Sequence, residues 1–281
     1  MLLKIFKYDF KTNARSQIPV LIALAAATAI ACAYVFIIFT GDTSTDVGTL
    51  STLFGVLGLI SIVFGIFAAS LVSNFLLYLR FYKSMVTDEG YLTLTLPVNP
   101  RSLIAGKLLS ALLWSAIVTA ATFGAFSTIA SIFGSSATES ISEFVKIFGV
   151  LFGELLDIMG ENIGIIILWS LQTVVVWVAG FMEIFFAIIF AGCIVKKLKA
   201  LCAIGLIVGF NSAVSTISFI INAILSLTVF ANMDYNGVVS ITYSGVPTVY
   251  SYIVDIVLYA ILGVVFFWLS TFLVKKKVNL D

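Results

Sequence analysis

Apolar positions dominate six long stretches of the chain, at about residues 17–40, 50–79, 100–133, 163–195, 200–231 and 247–274. The first, second and fifth carry no charge. The third is uncharged from Leu108 onward, and the fourth and sixth each enclose one acid, Glu183 and Asp255. A helix rises ~1.5 Å per residue, so ~20 apolar residues cross the hydrocarbon core of a bilayer. Every stretch meets that length. Several exceed it, which implies tilt or extension beyond the lipid. Pro100 and Pro247 suit the first position of a helix, where a missing N–H costs nothing. The pattern predicts an all-α integral membrane protein with six transmembrane helices in a single transmembrane domain over 1–281. No internal repeat is visible, so the inverted-repeat plan of many secondary transporters has no support.

The segments between these stretches are patterned too. In residues 1–16, Lys4, Lys7, Lys11 and Arg15 recur at helical spacing on one face, with Leu3, Phe6 and Phe10 on another. That predicts an amphipathic helix lying in the membrane interface, cations toward anionic headgroups and rings in the acyl boundary. Residues 139–161 hold too many charges to span. Glu139, Glu143, Lys146, Glu154, Asp157 and Glu161 approximate a polar stripe opposite Phe144, Ile147, Phe148, Leu151, Leu155 and Ile158. This reads as an outer-surface helix, or equally as a re-entrant hairpin broken near Gly149 and Gly153. Residues 232–246 are turn-rich, and Asn236-Gly237 hints at a short hairpin.

Charge then sets orientation. Of 15 basic residues, 14 fall in the N-terminal arm, the second connection with the start of span three, the fourth connection, and the C-terminus. Only Lys146 falls elsewhere. Asp42, Asp46, Glu139, Glu143, Glu154, Asp157, Glu161 and Asp234 occupy the opposite side. By the positive-inside bias, an even number of spans with this distribution places both termini in the cytoplasm.

Composition agrees and narrows the chemistry. The chain is 61% hydrophobic and 10% charged, and its mean hydropathy is +1.18, far from a soluble domain. Net charge is +1 and no basic domain exists, so nothing points to nucleic acid. Histidine is absent, which removes His-ligated metals and His general bases. Cys32, Cys193 and Cys202 lie in apolar runs at no metal-ligand spacing and read as small core hydrophobes. The 26-residue uncharged run from 16 to 41 is too long for the apolar core of a cleaved signal peptide.

Two places carry candidate chemistry. The connection between spans two and three, residues 80–99, is compact and too apolar for a free loop. Thr87 or Asp88 can cap a short helix. Gly90 can take a positive φ and reverse the chain, and Asn99 can cap span three. Tyr91, Leu92, Leu94 and Leu96 need packing partners. The second place is inside the spans. Glu183 lies ~20 Å from Lys196 along its helix, and Asp255 ~12 Å from Pro247. An ionised carboxylate in lipid costs at least ~2–3 kcal/mol, so both should face protein or a water-filled path. They are candidates for a substrate path together with Asn211, which with Ser170 and Gln172 could also be a packing partner of the acids. Small residues at four-residue spacing (Gly205, Gly209 and Ala213; Ala25, Ala29 and Ala33) allow close helix approach.

The run Phe81-Tyr82-Lys83-Ser84-Met85, followed by Asp88-Glu89-Gly90-Tyr91-Leu92 and Thr95-Leu96-Pro97, resembles the signature of small permease subunits of type-2 ATP-binding-cassette (ABC) exporters of Gram-positive bacteria. The basic arm, six spans and closing lysine cluster resemble that family's layout, although the motif covers only some twenty residues. The resemblance implies a plasma-membrane exporter subunit with no catalytic residue, no metal and no cofactor of its own. A separate cytosolic ATPase dimer would hold ATP and magnesium, consistent with the missing G-x-x-x-x-G-K motif, since Arg101 stands where the first glycine is required. Tyr82, Lys83, Asp88, Glu89, Gly90, Tyr91 and Leu92 would form the ATPase-coupling loop. Six spans make half a transporter, so a second permease would complete a homo- or heterodimer. The family's larger members carry a big extracellular domain between the first two spans, and here residues 41–48 replace it. Two other classes compete. One is an ion-coupled secondary transporter or channel using Glu183 and Asp255. The other is an intramembrane enzyme or scaffold, disfavoured by the absence of a plausible catalytic set.

Overall fold

A computed structural model of the chain describes residues 2–40, 48–87, 90, 99–136, 163–195, 198–231 and 246–276. Among them are six long α-helices: α1 (Leu2–Thr40), α2 (Gly48–Val86), α3 (Pro100–Ser136), α4 (Ile163–Ile194), α5 (Lys199–Ala231) and α6 (Val246–Lys276). Each is long and apolar enough to cross a membrane, so the protein is a multi-pass membrane protein. The helices coincide with the six apolar stretches. The segments 139–161 and 232–245 lie outside the described residues.

Two boundaries differ from the sequence reading. Residues 2–15 are helical, but they run on into the first span with no break, and Pro19 sits inside α1. A proline mid-helix deletes one backbone hydrogen bond. In an apolar medium the helix persists because any alternative leaves more backbone groups unbonded. At 39 residues α1 is ~58 Å long, far more than one bilayer crossing. At the other end of the pattern, residues 80–86 are the last two turns of α2 and not the start of a loop. Arg80 and Lys83 end the uncharged run, and the helix continues past them.

The chain divides into two units. One contains α1, α2 up to Arg80, and α3 from Leu109. Its apolar core joins Leu24 and Ala31 of α1, Ile66 of α2, and Ala125 and Ile129 of α3, flanked by Cys32, Ile62, Ala69 and Ala121. Polar pairs lock the same three helices. Gln17, fully buried, donates Nε2 to the Ser73 carbonyl at 3.0 Å and accepts from Ser73 Oγ at 2.6 Å. Asn13 Nδ2 donates to Ser110 Oγ at 2.9 Å. Trp114 Nε1 donates to the Phe10 carbonyl at 3.0 Å, and the two rings lie 5.0 Å apart. One face of the basic arm is therefore docked on its own helices, while Lys4, Lys7, Lys11 and Arg15 stay exposed.

The other unit holds the end of α2 from Phe81, the start of α3 to Leu108, and all of α4, α5 and α6. Helix α4 is its centre, packed against both α5 and α6. Its Ala179, Ala187 and Ala191 are buried, which lets neighbours come close. A Cβ at Gly263 of α6 would lie 3.6 Å from the Ala179 Cα. Phe186, Phe210 and Phe266 form an aromatic cluster across α4, α5 and α6, with centroids 5.3–6.1 Å apart. Outside the packed faces, large rings stand exposed: Phe64 is 68%, Phe123 71% and Phe219 73% accessible. Water would not support that surface, but lipid does.

Candidate functional site

The first candidate is the connection between α2 and α3. Along 81–86, Phe81, Ser84, Met85 and Val86 are buried, Tyr82 is half-buried, and Lys83 is exposed. The helix thus presents one face inward and projects the other. Phe81 stacks on Phe185 of α4 with centroids 3.6 Å apart and planes 4° from parallel. The Val86 methyls fill the space beside Gly192, where an added Cβ would sit 3.1 Å from them. Ser84 Oγ donates to the Phe81 carbonyl at 3.0 Å and accepts from the buried Lys107 Nζ at 3.1 Å. That bond ties the end of α2 to the first turns of α3.

The helix end is closed by its own polar groups. Thr87 Oγ1 donates to the Lys83 carbonyl at 2.5 Å, and Gly90 N donates to the Thr87 carbonyl at 2.7 Å. Gly90 is buried against α2, and a Cβ there would lie 2.8 Å from the Met85 carbonyl carbon and oxygen. The expected reason for this glycine was a left-handed backbone. Its φ lies outside that region, and close approach to Met85 explains the residue instead. The left-handed position falls at Leu198, with φ 60°, between α4 and α5. Asn99 caps α3: its Oδ1 accepts from Arg101 N at 3.3 Å, and its carbonyl accepts from Ser102 N and Leu103 N. Asp88, Glu89, Tyr91 and Leu92 lie outside the described residues.

The second candidate is polar and lies within the spans. Asp255 of α6 accepts three hydrogen bonds: from Gln172 Nε2 of α4 at 2.9 Å, and from Ser218 Oγ at 2.9 Å and Asn222 Nδ2 at 3.1 Å, both on α5. Tyr259, one turn further along α6, brings its phenol beside Ser218, with Asp255 and Glu183 both in electrostatic reach. Glu183, on α4, is only 5% accessible, and its Oε1 has no hydrogen-bond partner. Eleven residues separate Gln172 from Glu183, three turns to within ~20°, so they share a helix face ~16 Å apart along the axis.

Of the partners expected for the acids, the structure joins Gln172 to Asp255. Ser170 instead donates to the Ile167 carbonyl of its own helix at 2.9 Å. Asn211 is exposed on α5 and bonds to neither carboxylate. Ser218 and Asn222 were missed. Their signal was present as a polar pair one helical turn apart inside an apolar stretch. Among the described residues no three or more acids and cysteines gather as a metal-binding group, and the three cysteines are half-buried and in no disulfide. No family model, curated protein or solved structure matches this chain.

Proposed function

We propose that this chain is the transmembrane permease subunit of an ABC exporter, moving substrate outward with ATP hydrolysed by a separate cytosolic ATPase dimer. In this reading it sits in the plasma membrane with both termini inside, as the basic residues favour. The exposed cations of the α1 arm meet anionic headgroups, and a second permease, identical or related, completes the pathway.

The observation that carries the reading is how the end of α2 is seated. A coupling element must be rigidly attached to the spans it moves, yet present side chains to its driver. The Phe81–Phe185 stack, the Val86–Gly192 contact and the Lys107–Ser84 bond supply the attachment. Lys83 and one side of Tyr82 point away from it. These residues belong to the motif that resembles the exporter family. Closure of ATPases on Tyr82, Lys83, Asp88, Glu89, Tyr91 and Leu92 would push α2 and α3 together and, through Phe81, α4.

The test is co-purification in detergent with the ATPase encoded beside the gene, using wild type and a Glu89→Arg, Tyr91→Ala double variant. A complex with wild type that is lost in the variant supports the coupling interface. No complex with any neighbouring ATPase, or one indifferent to the substitutions, refutes it.

A further inference from the structure

Asp255 combines three features that together describe an unfilled charge. It lies nine residues into α6, ~13 Å from the start of the helix, within an apolar span. Its three hydrogen-bond partners are neutral donors from two other helices. No cationic side chain reaches it among the described residues. Lys275 on the same helix is 20 residues away, ~30 Å, and Lys199 is 19 residues before Ser218 on α5, ~28 Å. A lone negative charge at such depth is costly.

The neighbouring acceptor completes the picture. Asn222 Nδ2 donates to Asp255 Oδ1 at 3.1 Å and to Ser218 Oγ at 3.4 Å, and its Oδ1 is buried with no partner. A buried acceptor left unbonded costs ~1–3 kcal/mol. Both groups call for the same kind of partner: a positive charge able to take oxygen ligands or donate hydrogen bonds. Asp255 Oδ2 accepts only from Gln172, so a lone pair remains on that oxygen for it.

We infer that Asp255 and Asn222 form a site for a singly charged cation, with Gln172 and Ser218 positioning the carboxylate. One formal negative charge balances one positive charge. Divalent ions are disfavoured, since calcium and magnesium sites draw on more carboxylate oxygen or on phosphate. The absence of histidine and of a nearby thiol excludes the softer metals. An alkali cation and the primary ammonium group of an organic molecule share the required chemistry. The inference does not depend on the exporter reading, because it concerns the chain alone.

The experiment is thermal unfolding of the purified chain in detergent, followed by tryptophan fluorescence. Sodium, potassium or ethylammonium chloride replaces choline chloride at constant ionic strength. Wild type should show a saturable rise in Tm with at least one of the three. At 100 times its Kd a ligand raises the folded-to-unfolded ratio roughly a hundredfold. Asp255→Asn should lose the response, and Asn222→Leu, which keeps the charge, should weaken it about tenfold as an acceptor is lost. A response to sodium or potassium identifies an inorganic ion, and one to ethylammonium alone identifies the ammonium group of an organic ligand. No saturable response in wild type, or an equal one in Asp255→Asn, overturns the site. Should Asp255→Asn not elute as folded protein, Asn222→Leu decides by the same criterion. Failure here leaves the ATPase interface untouched, and loss of the ATPase interface leaves this site intact.

Discussion

Replacing Ser73 by alanine should destabilise the protein more than replacing Gln17 by leucine, although Gln17 makes more of the bonds. Ser73→Ala removes the hydroxyl that donates to Gln17 Oε1 at 2.6 Å, leaving that oxygen unbonded in a side chain with no solvent access. An orphaned buried acceptor costs ~1–3 kcal/mol, and measured interhelical hydrogen bonds in membranes run to ~2 kcal/mol. We therefore expect a loss of about 1–2 kcal/mol. Gln17→Leu removes both polar ends of the glutamine at once. It leaves only the Ser73 hydroxyl, which can turn to a carbonyl of its own helix, so its loss should be under about 1 kcal/mol. The Gln17→Leu, Ser73→Ala double variant leaves no orphan and should be less destabilised than the sum of the singles by about 1 kcal/mol. The assay is reversible unfolding in mixed micelles of increasing dodecyl sulfate content. Additivity within ~0.3 kcal/mol would refute the pairing, and with it the docking of the α1 arm on α2.

Other substitutions probe the remaining claims. Gly90→Ala should cost about 1–3 kcal/mol through overpacking against the Met85 carbonyl, and on the exporter reading should also weaken ATPase co-purification; both are read from one preparation. Gly263→Ala should be nearly silent, because its Cβ meets Ala179 at an ordinary 3.6 Å, whereas Gly263→Leu should lower the unfolding midpoint sharply by forcing α4 and α6 apart. In a background with Cys32, Cys193 and Cys202 replaced by alanine, Lys83→Cys should react with an impermeant maleimide in inside-out vesicles and not in intact cells; the reverse labelling would invert the proposed orientation.

The apolar runs made the six helices legible because lipid demands length and apolarity from every crossing, and both are properties of the sequence alone. The capping of α3 was equally visible, since Asn99 and Pro100 act on their own neighbours. What escaped the sequence depended on something beyond local pattern. The extension of α2 through 80–86 was hidden because charge ends the apolar run, while the helix ends where Thr87 and Gly90 close it. The continuity of α1 was hidden because cations and Pro19 are ordinary signals of a break, and the docking of Phe10, Asn13 and Gln17 overrides them. Of the Asp255 cluster, Gln172 could be nominated, but choosing Ser218 and Asn222 over Asn211 requires the rotation of α5 about its axis. No spacing within α5 fixes that rotation, because polar residues occur on several of its faces.

Two polar systems within the described helices differ in what they leave over, and that difference separates packing from function. In the unit of α1, α2 and α3, Gln17 and Ser73 exchange donor and acceptor, and Asn13 meets Ser110, so neutral groups are matched to neutral groups. Such pairs fix helix register and ask nothing of the outside. Around Asp255 three donors converge on a carboxylate, yet among the described residues the charge has no counter-charge and the Asn222 oxygen has no donor. If Asp255 served only to hold α4, α5 and α6 together, an asparagine would keep the Ser218 and Asn222 bonds on its one oxygen, and Gln172 could turn its own oxygen toward the new amide N–H, all without the cost of a charge. The Asp255→Asn variant should then be as stable as wild type in every salt. A carboxylate at this position gains its advantage only when a cation arrives, so the salt-dependent part of the stability, and not its absolute value, is the quantity that reports the purpose of the residue.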